Sequence, residues 1–253
     1  MGWLAGKRVV VTRSREQAGA LVDLLEAAGA EALVFPSIAI VDPPDVAPLD
    51  AAIRALDVYA WVIFTSANTV ARFFTRMAMG DLDARHLHGL RVAAVGPATT
   101  SALRAHGIEP DFVPDEYVGE GLLDGLCARG VGSGTRVLLP RAVDAREVLP
   151  AGLRERGAKV DVVPVYQTVT GAGDDAVLER LRAGGADAVT FTSPSTVRGF
   201  LRLTEGIDTS SLVVGAIGPI ASRAAREAGL GVDVEPAEYT APALVAALDA
   251  YGG

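Results

Sequence analysis

One strand-to-helix turn occurs twice in this chain, and that repetition limits the fold more than any other feature. FTSANTVARFF runs from Phe64 to Phe74, and FTSPSTVRGFL from Phe191 to Leu201, an offset of 127 (Phe64 to Phe191). A longer pair follows the two copies. VAAVGPATTSALRAHGIEPDFVPDEY matches VGAIGPIASRAAREAGLGVDVEPAEY at an offset of 122 (Gly96 to Gly218). KRVVVTR, a helix-period stretch and AEALVFPSI likewise correspond to TRVLLPR, a helix-period stretch and AKVDVVPVY. The same series of elements is therefore encoded twice, in the same order.

Short apolar runs alternate with helix-period stretches throughout, which is the pattern of parallel α/β sheets. The expected strands are RVVVTR, EALVFPSIAIV (interrupted by Pro36), WVIFTS, RVAAVG, TRVLLPR, KVDVVPVYQT, AVTFTS, LVVGAIG and GVDVEP. EQAGALVDLLEAAG reads as an amphipathic helix stopped by Gly29.

A length of 253 residues accommodates one large domain or two ordinary ones. Two proline-bearing breaks fall at the same point of the repeat: one over Pro36–Asp42, running into VDPPDVAPLD, and one over Pro164–Gly173. Read as paired linkers, they take the chain out of one domain and back into it. One domain would comprise residues 1–38 with 169–253. The other would comprise 39–168, including linker strands at about 36–42 and 163–169. An end-to-end arrangement of the two halves would need a linker near Gly130, where none is evident.

Half of the residues are hydrophobic and 21% are charged, the balance of a globular chain. A net charge of −8 opposes nucleic-acid backbones but not a small anion met by local amides and arginines. Cys127 is the only cysteine, so no intrachain disulfide or multi-cysteine zinc site is possible. No apolar stretch approaches the roughly 20 residues needed to span a bilayer. MGWLAGKRVVVTR enters a strand directly, without a signal-peptide pattern, so the expectation is a cytoplasmic protein.

Taken in order, VVVTRS, WVIFTSANTV, AVGPATTSAL, VLLPRA, PVYQT, TFTSPSTV and IGP resemble the uroporphyrinogen-III synthase family, over essentially the whole chain. The resemblance implies two interleaved α/β domains joined by a two-stranded linker, with an active cleft between them. It also implies cyclisation of the linear tetrapyrrole hydroxymethylbilane, with inversion of its last ring and no cofactor. Neither a metal, a nucleic acid nor a membrane is expected as a partner, and the chain is expected to be a monomer.

In open parallel sheets, ligands bind beyond the carboxyl ends of the strands, where loops enter helices. Ser66 and Ser193 stand there as helix caps or as ligand contacts, with Ala67, Asn68 and Ser195 beside them. Gly96-Pro97 and Gly218-Pro219 open further helices, with Thr99 in the first of them open to the same two readings. A substrate with eight carboxylates suits such amide-rich starts. Where the family pattern has a threonine-rich turn, this chain has Ile220 and Ala221, so contacts there would come from backbone amides. Arg13 and Arg141 occupy corresponding strand ends and could each grip a carboxylate at two points; Arg15, Arg72, Arg146 and Arg198 are further arginine candidates.

By resemblance, Tyr166 in VYQT is the catalytic candidate: its phenol would donate to the departing hydroxyl. The alternative is a tyrosine that only packs in the linker ladder. No G-x-S-x-G elbow surrounds either serine, GVGSGT precedes a strand instead of following one, His86 and His88, two apart, lack a third metal ligand, and His106 sits near a helix end. A two-domain anion-binding protein without chemistry is the rival reading.

Overall fold

A computed structural model describes residues 2–252. β1 (Arg8–Val11), α1 (Arg15–Ala27), β2 (Glu31–Val34) and β3 (Ile38–Val41) open the chain. Next come α2 (Ala47–Arg54), β4 (Trp61–Phe64), α3 (Ala67–Met79), β5 (Arg91–Ala94), α4 (Pro97–Ala105) and α5 (Gly119–Ala128). β6 (Arg136–Ala142), α6 (Val148–Glu155) and the long β7 (Lys159–Thr170) follow. α7 (Asp175–Arg182), β8 (Ala188–Phe191), α8 (Pro194–Leu203), β9 (Val213–Ala216), α9 (Pro219–Glu227) and α10 (Ala241–Asp249) complete it. Among the described residues, no helix is long and apolar enough to cross a membrane.

Two compact units result. The first takes the residues up to Ile40 and those from Thr168 onward; the second is Val41–Gln167. The chain thus changes unit once inside β3 and once inside β7. One sheet has the order β2-β1-β8-β9, the other β3-β7-β6-β4-β5. The β1–β2, β1–β8, β8–β9, β4–β5, β4–β6 and β6–β7 pairings are all parallel.

Parallel sheets need helices on both faces, and the strand sequences show why these ones acquire them. Successive residues of a strand point to opposite faces. Val10 joins Phe35, Phe191 and Phe200 in one core, while its neighbours Val9 and Val11 join Leu21, Leu25 and Leu244 in another. In the second unit Trp61 and Ile63 pack with Leu122, Leu126 and Leu153. Phe64 meets Phe73 of α3 edge-on at 5.3 Å.

The units share local contacts at corresponding positions. Asp111 accepts from the Val92 N–H, and Asp233 from the Val214 N–H, both at 2.7 Å. The expected strand GVDVEP does not form. Only Val234 bridges to Gly215, as Phe112 does to Ala93. Each segment runs past an outer strand with the aspartate side chain satisfying one backbone donor, so a single bridge takes the place of a ladder.

Candidate active site

The carboxyl ends of β4, β5, β6 and β7 collect six of the sequence candidates in the second unit. Phe64 closes β4, and Ser66 then caps α3, its Oγ accepting from the Thr69 N–H at 3.1 Å. The same Oγ lies 2.8 Å from Thr69 Oγ1 and 3.5 Å from Tyr166 Oη. Ala67 and Asn68 are half-buried residues of the first helical turn. Tyr166 is itself buried, 9% exposed, so its phenol reaches the strand ends from within β7. A register shift in the β6–β7 pairing between Arg141 and Ala142 sets Ala142 opposite Tyr166. The Val143 N–H then donates to the Tyr166 carbonyl at 3.0 Å. The bulge thus levels Tyr166 with Ala142, the last residue of β6.

Arg141 is 4% exposed. Its Nη2 donates to the Ala145 carbonyl and lies 2.8 Å from Glu147 Oε1. Nε and Nη1 have no hydrogen-bond partner among the described residues. Thr99 does not cap α4; Gly96 holds that position, and Thr99 is buried in the first turn. A Cβ at Gly96 would sit 3.0 Å from the ring of Tyr117, whose side chain covers that helix start. Gly96 has an extended backbone (φ 178°) that any residue could adopt, so a side chain there would disturb the Tyr117 contact and not the backbone.

The first unit repeats the arrangement with different chemistry. Ser193 caps α8, accepting from Thr196 N–H at 3.3 Å, while its Oγ lies 3.3 Å from Ser195 Oγ. Both serines therefore carry the cap and still face neighbouring hydroxyls. α9 begins at Gly218-Pro219, where Ile220 is 62% exposed and Ala221 is buried. A Cβ at Gly218 would meet the Tyr239 ring at 2.8 Å, the counterpart of the Gly96–Tyr117 contact. Arg13 is half-buried; its Nη2 reaches Gln17 Oε1 at 3.4 Å and its Nε is unpartnered among the described residues. Burial pulls its guanidinium below the usual range.

The remaining arginine candidates are held in surface pairs: Arg15 with Asp174, Arg72 with Asp42, and Arg146 loosely with Glu120 at 3.8 Å. Arg198 lies on the exposed face of α8. His86 and His88 are exposed, and His106 stacks on Phe74 at 4.1 Å. Sequence reasoning missed Tyr117, Tyr239 and Glu147. The two tyrosines end the long repeated segment at the same offset as the Gly-Pro pairs, and that signal could have found them. Nothing in the sequence marks Glu147 as the partner of Arg141.

Each unit by itself thus offers an arginine at a strand end and two uncharged helix starts, and the second unit adds a buried phenol within 3.5 Å of a serine hydroxyl. Arginines and free helix-start amides are groups that suit anions. The solved uroporphyrinogen-III synthase of Helicobacter pylori has this fold: TM-score 0.63 at 18% identity, over 95% of this chain and 97% of that one. A mutant of the Thermus thermophilus enzyme superposes with a TM-score of 0.62 at 21% identity, over 95% and 96%. In sequence, a Synechococcus elongatus protein named uroporphyrinogen-III synthase is 33% identical over 97% of this chain and 96% of its own length. A Methanothermobacter thermautotrophicus protein given that name provisionally is 36% identical over 95% and 96%. The family model described as "Uroporphyrinogen-III synthase HemD" matches residues 19–246, which span both units and every candidate except Arg13 and Arg15. With both sequence and fold in agreement, the chain belongs to the uroporphyrinogen-III synthase family.

Proposed function

We propose that this protein is a lyase that closes hydroxymethylbilane to uroporphyrinogen III, losing water and inverting the last pyrrole ring. The observation that carries the reading is the family match across residues 19–246, which favours a synthase over an anion-binding protein without chemistry. The hydroxymethyl group leaves as water and an electron-poor azafulvene remains. Attack by the substituted carbon of the last ring gives a spiro intermediate, which fragments and recloses with that ring turned over. Closure without inversion needs no enzyme, so the protein's work is to impose the folded conformation that leads to the spiro carbon.

Tyr166 is the proton donor to the departing hydroxyl in this reading, and its Oη, 3.5 Å from Ser66 Oγ, is oriented by that hydroxyl. Arg13, Ser66, Ala67, Asn68, Thr99, Arg141, Ser193, Ser195, Ile220 and Ala221 make up the substrate contacts. Arginines bind carboxylates, and amides at the helix starts bind them where side chains are apolar or buried, as at Ala67, Ile220 and Ala221. No cofactor takes part. The same reading makes the protein a cytoplasmic monomer without nucleic-acid or membrane partners, and the net charge of −8 supports the absence of a nucleic-acid partner.

The test is a coupled assay in which the bilane is generated in the presence of the protein and the oxidised porphyrin isomers are separated. Isomer III in excess of isomer I is the expected product. Isomer I alone, from protein with a cooperative melting transition, would refute the assignment.

A further inference from the structure

The second unit contains a cavity of about 390 Å³ at the carboxyl ends of β4, β5 and β6, lined among others by Thr65, Val95, Tyr117, Arg141, Arg146 and Leu149. Its volume falls within the roughly 300–1,000 Å³ of small-molecule pockets. The lining mixes apolar side chains with the buried Arg141 guanidinium, Arg146 and the Asp144 carboxylate. A buried cation requires compensation, and here it is incomplete: Nε and Nη1 are unpartnered among the described residues. Its one ion-pair partner among the described residues is Glu147, whose side chain is 68% exposed and sits at the N-cap of α6.

The geometry of a guanidinium makes that contact consequential. A carboxylate grips arginine at two points either through Nη1 and Nη2 or through Nη2 and Nε, because the third edge is blocked by the side chain's own Cδ. Both grips use Nη2, and Nη2 is engaged by Ala145 O and Glu147. The Ala145 carbonyl is fixed in the backbone. Glu147 is the partner that can leave.

We propose that this cavity is the subsite for one carboxylated pyrrole ring of the substrate, with Arg141 as its buried anchor and Glu147 as an internal anion that the substrate carboxylate displaces. Leu149, Val95 and the Tyr117 ring then flank the pyrrole. Arg146, held to Glu120 only at 3.8 Å, is free to turn to a second carboxylate of the same ring. Glu147 supplies the countercharge of the empty site and sets the affinity of the filled one. The inference rests on the polycarboxylate substrate proposed above.

Glu147→Gln removes the competing charge while keeping the shape. In the coupled isomer assay its KM for the bilane falls about three- to tenfold with isomer III still formed. Fluorescence titration with uroporphyrin I, a stable octacarboxylate, shows affinity rising by a similar factor. Arg141→Gln moves both readouts the other way by at least about tenfold, and Arg141→Lys, which keeps the charge but not the two-point grip, recovers only part. If Arg141→Gln fails to fold, the Glu147→Gln pair of measurements decides alone. Unchanged KM and unchanged uroporphyrin I affinity in Glu147→Gln, alongside isomer III from the wild type, overturn the subsite and leave the synthase reading intact. Isomer I alone from the wild type overturns the synthase reading, and the uroporphyrin I titrations then decide the subsite by themselves.

Discussion

Ser66 performs two jobs with one oxygen, and substitutions separate them. As the α3 cap, it accepts from the Thr69 N–H at 3.1 Å; as neighbour to Tyr166 it stands 3.5 Å from the phenol. Ser66→Ala therefore costs about 1 kcal/mol of stability, measured by urea unfolding, and also lowers turnover by leaving the phenol unoriented. Tyr166→Phe keeps the ring in β7 and removes only the donor, so kcat falls about 100-fold with the melting temperature nearly unchanged. A fall in stability without a fall in kcat would make Tyr166 a packing residue. Another tyrosine predicts an alkaline effect. Burial, then a hydrogen bond to Asp161, pushes the Tyr59 phenol up to about 12. Its unfolded value is about 10. Between these values the unfolded chain releases a proton that the folded chain retains, so stability is full below about pH 10 and is lost as pH rises towards about 12. Tyr59→Phe flattens that limb by about 1–2 kcal/mol in unfolding experiments across the window.

Elements were legible in the sequence wherever one periodicity ruled. The apolar run of β1 announces a strand buried on both faces, and both FTS turns announce caps that Ser66 and Ser193 supply. What escaped depends on contacts distant in sequence. GVDVEP has a strand's composition, but Asp233 already satisfies the Val214 donor and one bridge is all that forms. The bulge that sets Tyr166 opposite Ala142 arises from pairing between β6 and β7, which neither strand encodes by itself. Thr99 has a capping residue's chemistry, yet Gly96 is the cap and Thr99 turns inward. The packing of α8 gives the sharpest test at this scale. Gly199 faces the backbone of Ser37, and a Cβ there would lie 2.1 Å from the Ser37 carbonyl oxygen. Ser37 cannot yield easily, because its Oγ lies 2.9 Å from Thr12 O and 3.0 Å from Thr196 O, to either of which its hydroxyl donates. Gly199→Ala, favourable by helix propensity, instead destabilises by about 3 kcal/mol in urea unfolding.

At the scale of the molecule, the two sheets differ in how far apart in sequence their strands lie. In the second unit Val62 pairs with Leu138, whereas in the first Val10 pairs with Val189. Closing the longer loop costs about 0.8 kcal/mol more in chain entropy, a difference that disappears once the intervening unit has folded and tied its own ends. Folding of the second unit before the first is the expected order. Pulse-labelled hydrogen exchange during refolding should protect the amides of Ile63 and Leu138 before those of Val10 and Val189; the reverse order would show that β1 and β8 pair without help. The change of unit inside β3 and β7 then has a meaning for synthesis. A ribosome completes β1, α1 and β2, and then the whole second unit, before β8 arrives to cover the open side of β1. Through that interval the nascent chain displays a bare β-edge of Val9, Val10 and Val11. The window in which this protein is most exposed to mispairing, and most in need of a chaperone, is therefore written into the order of its strands.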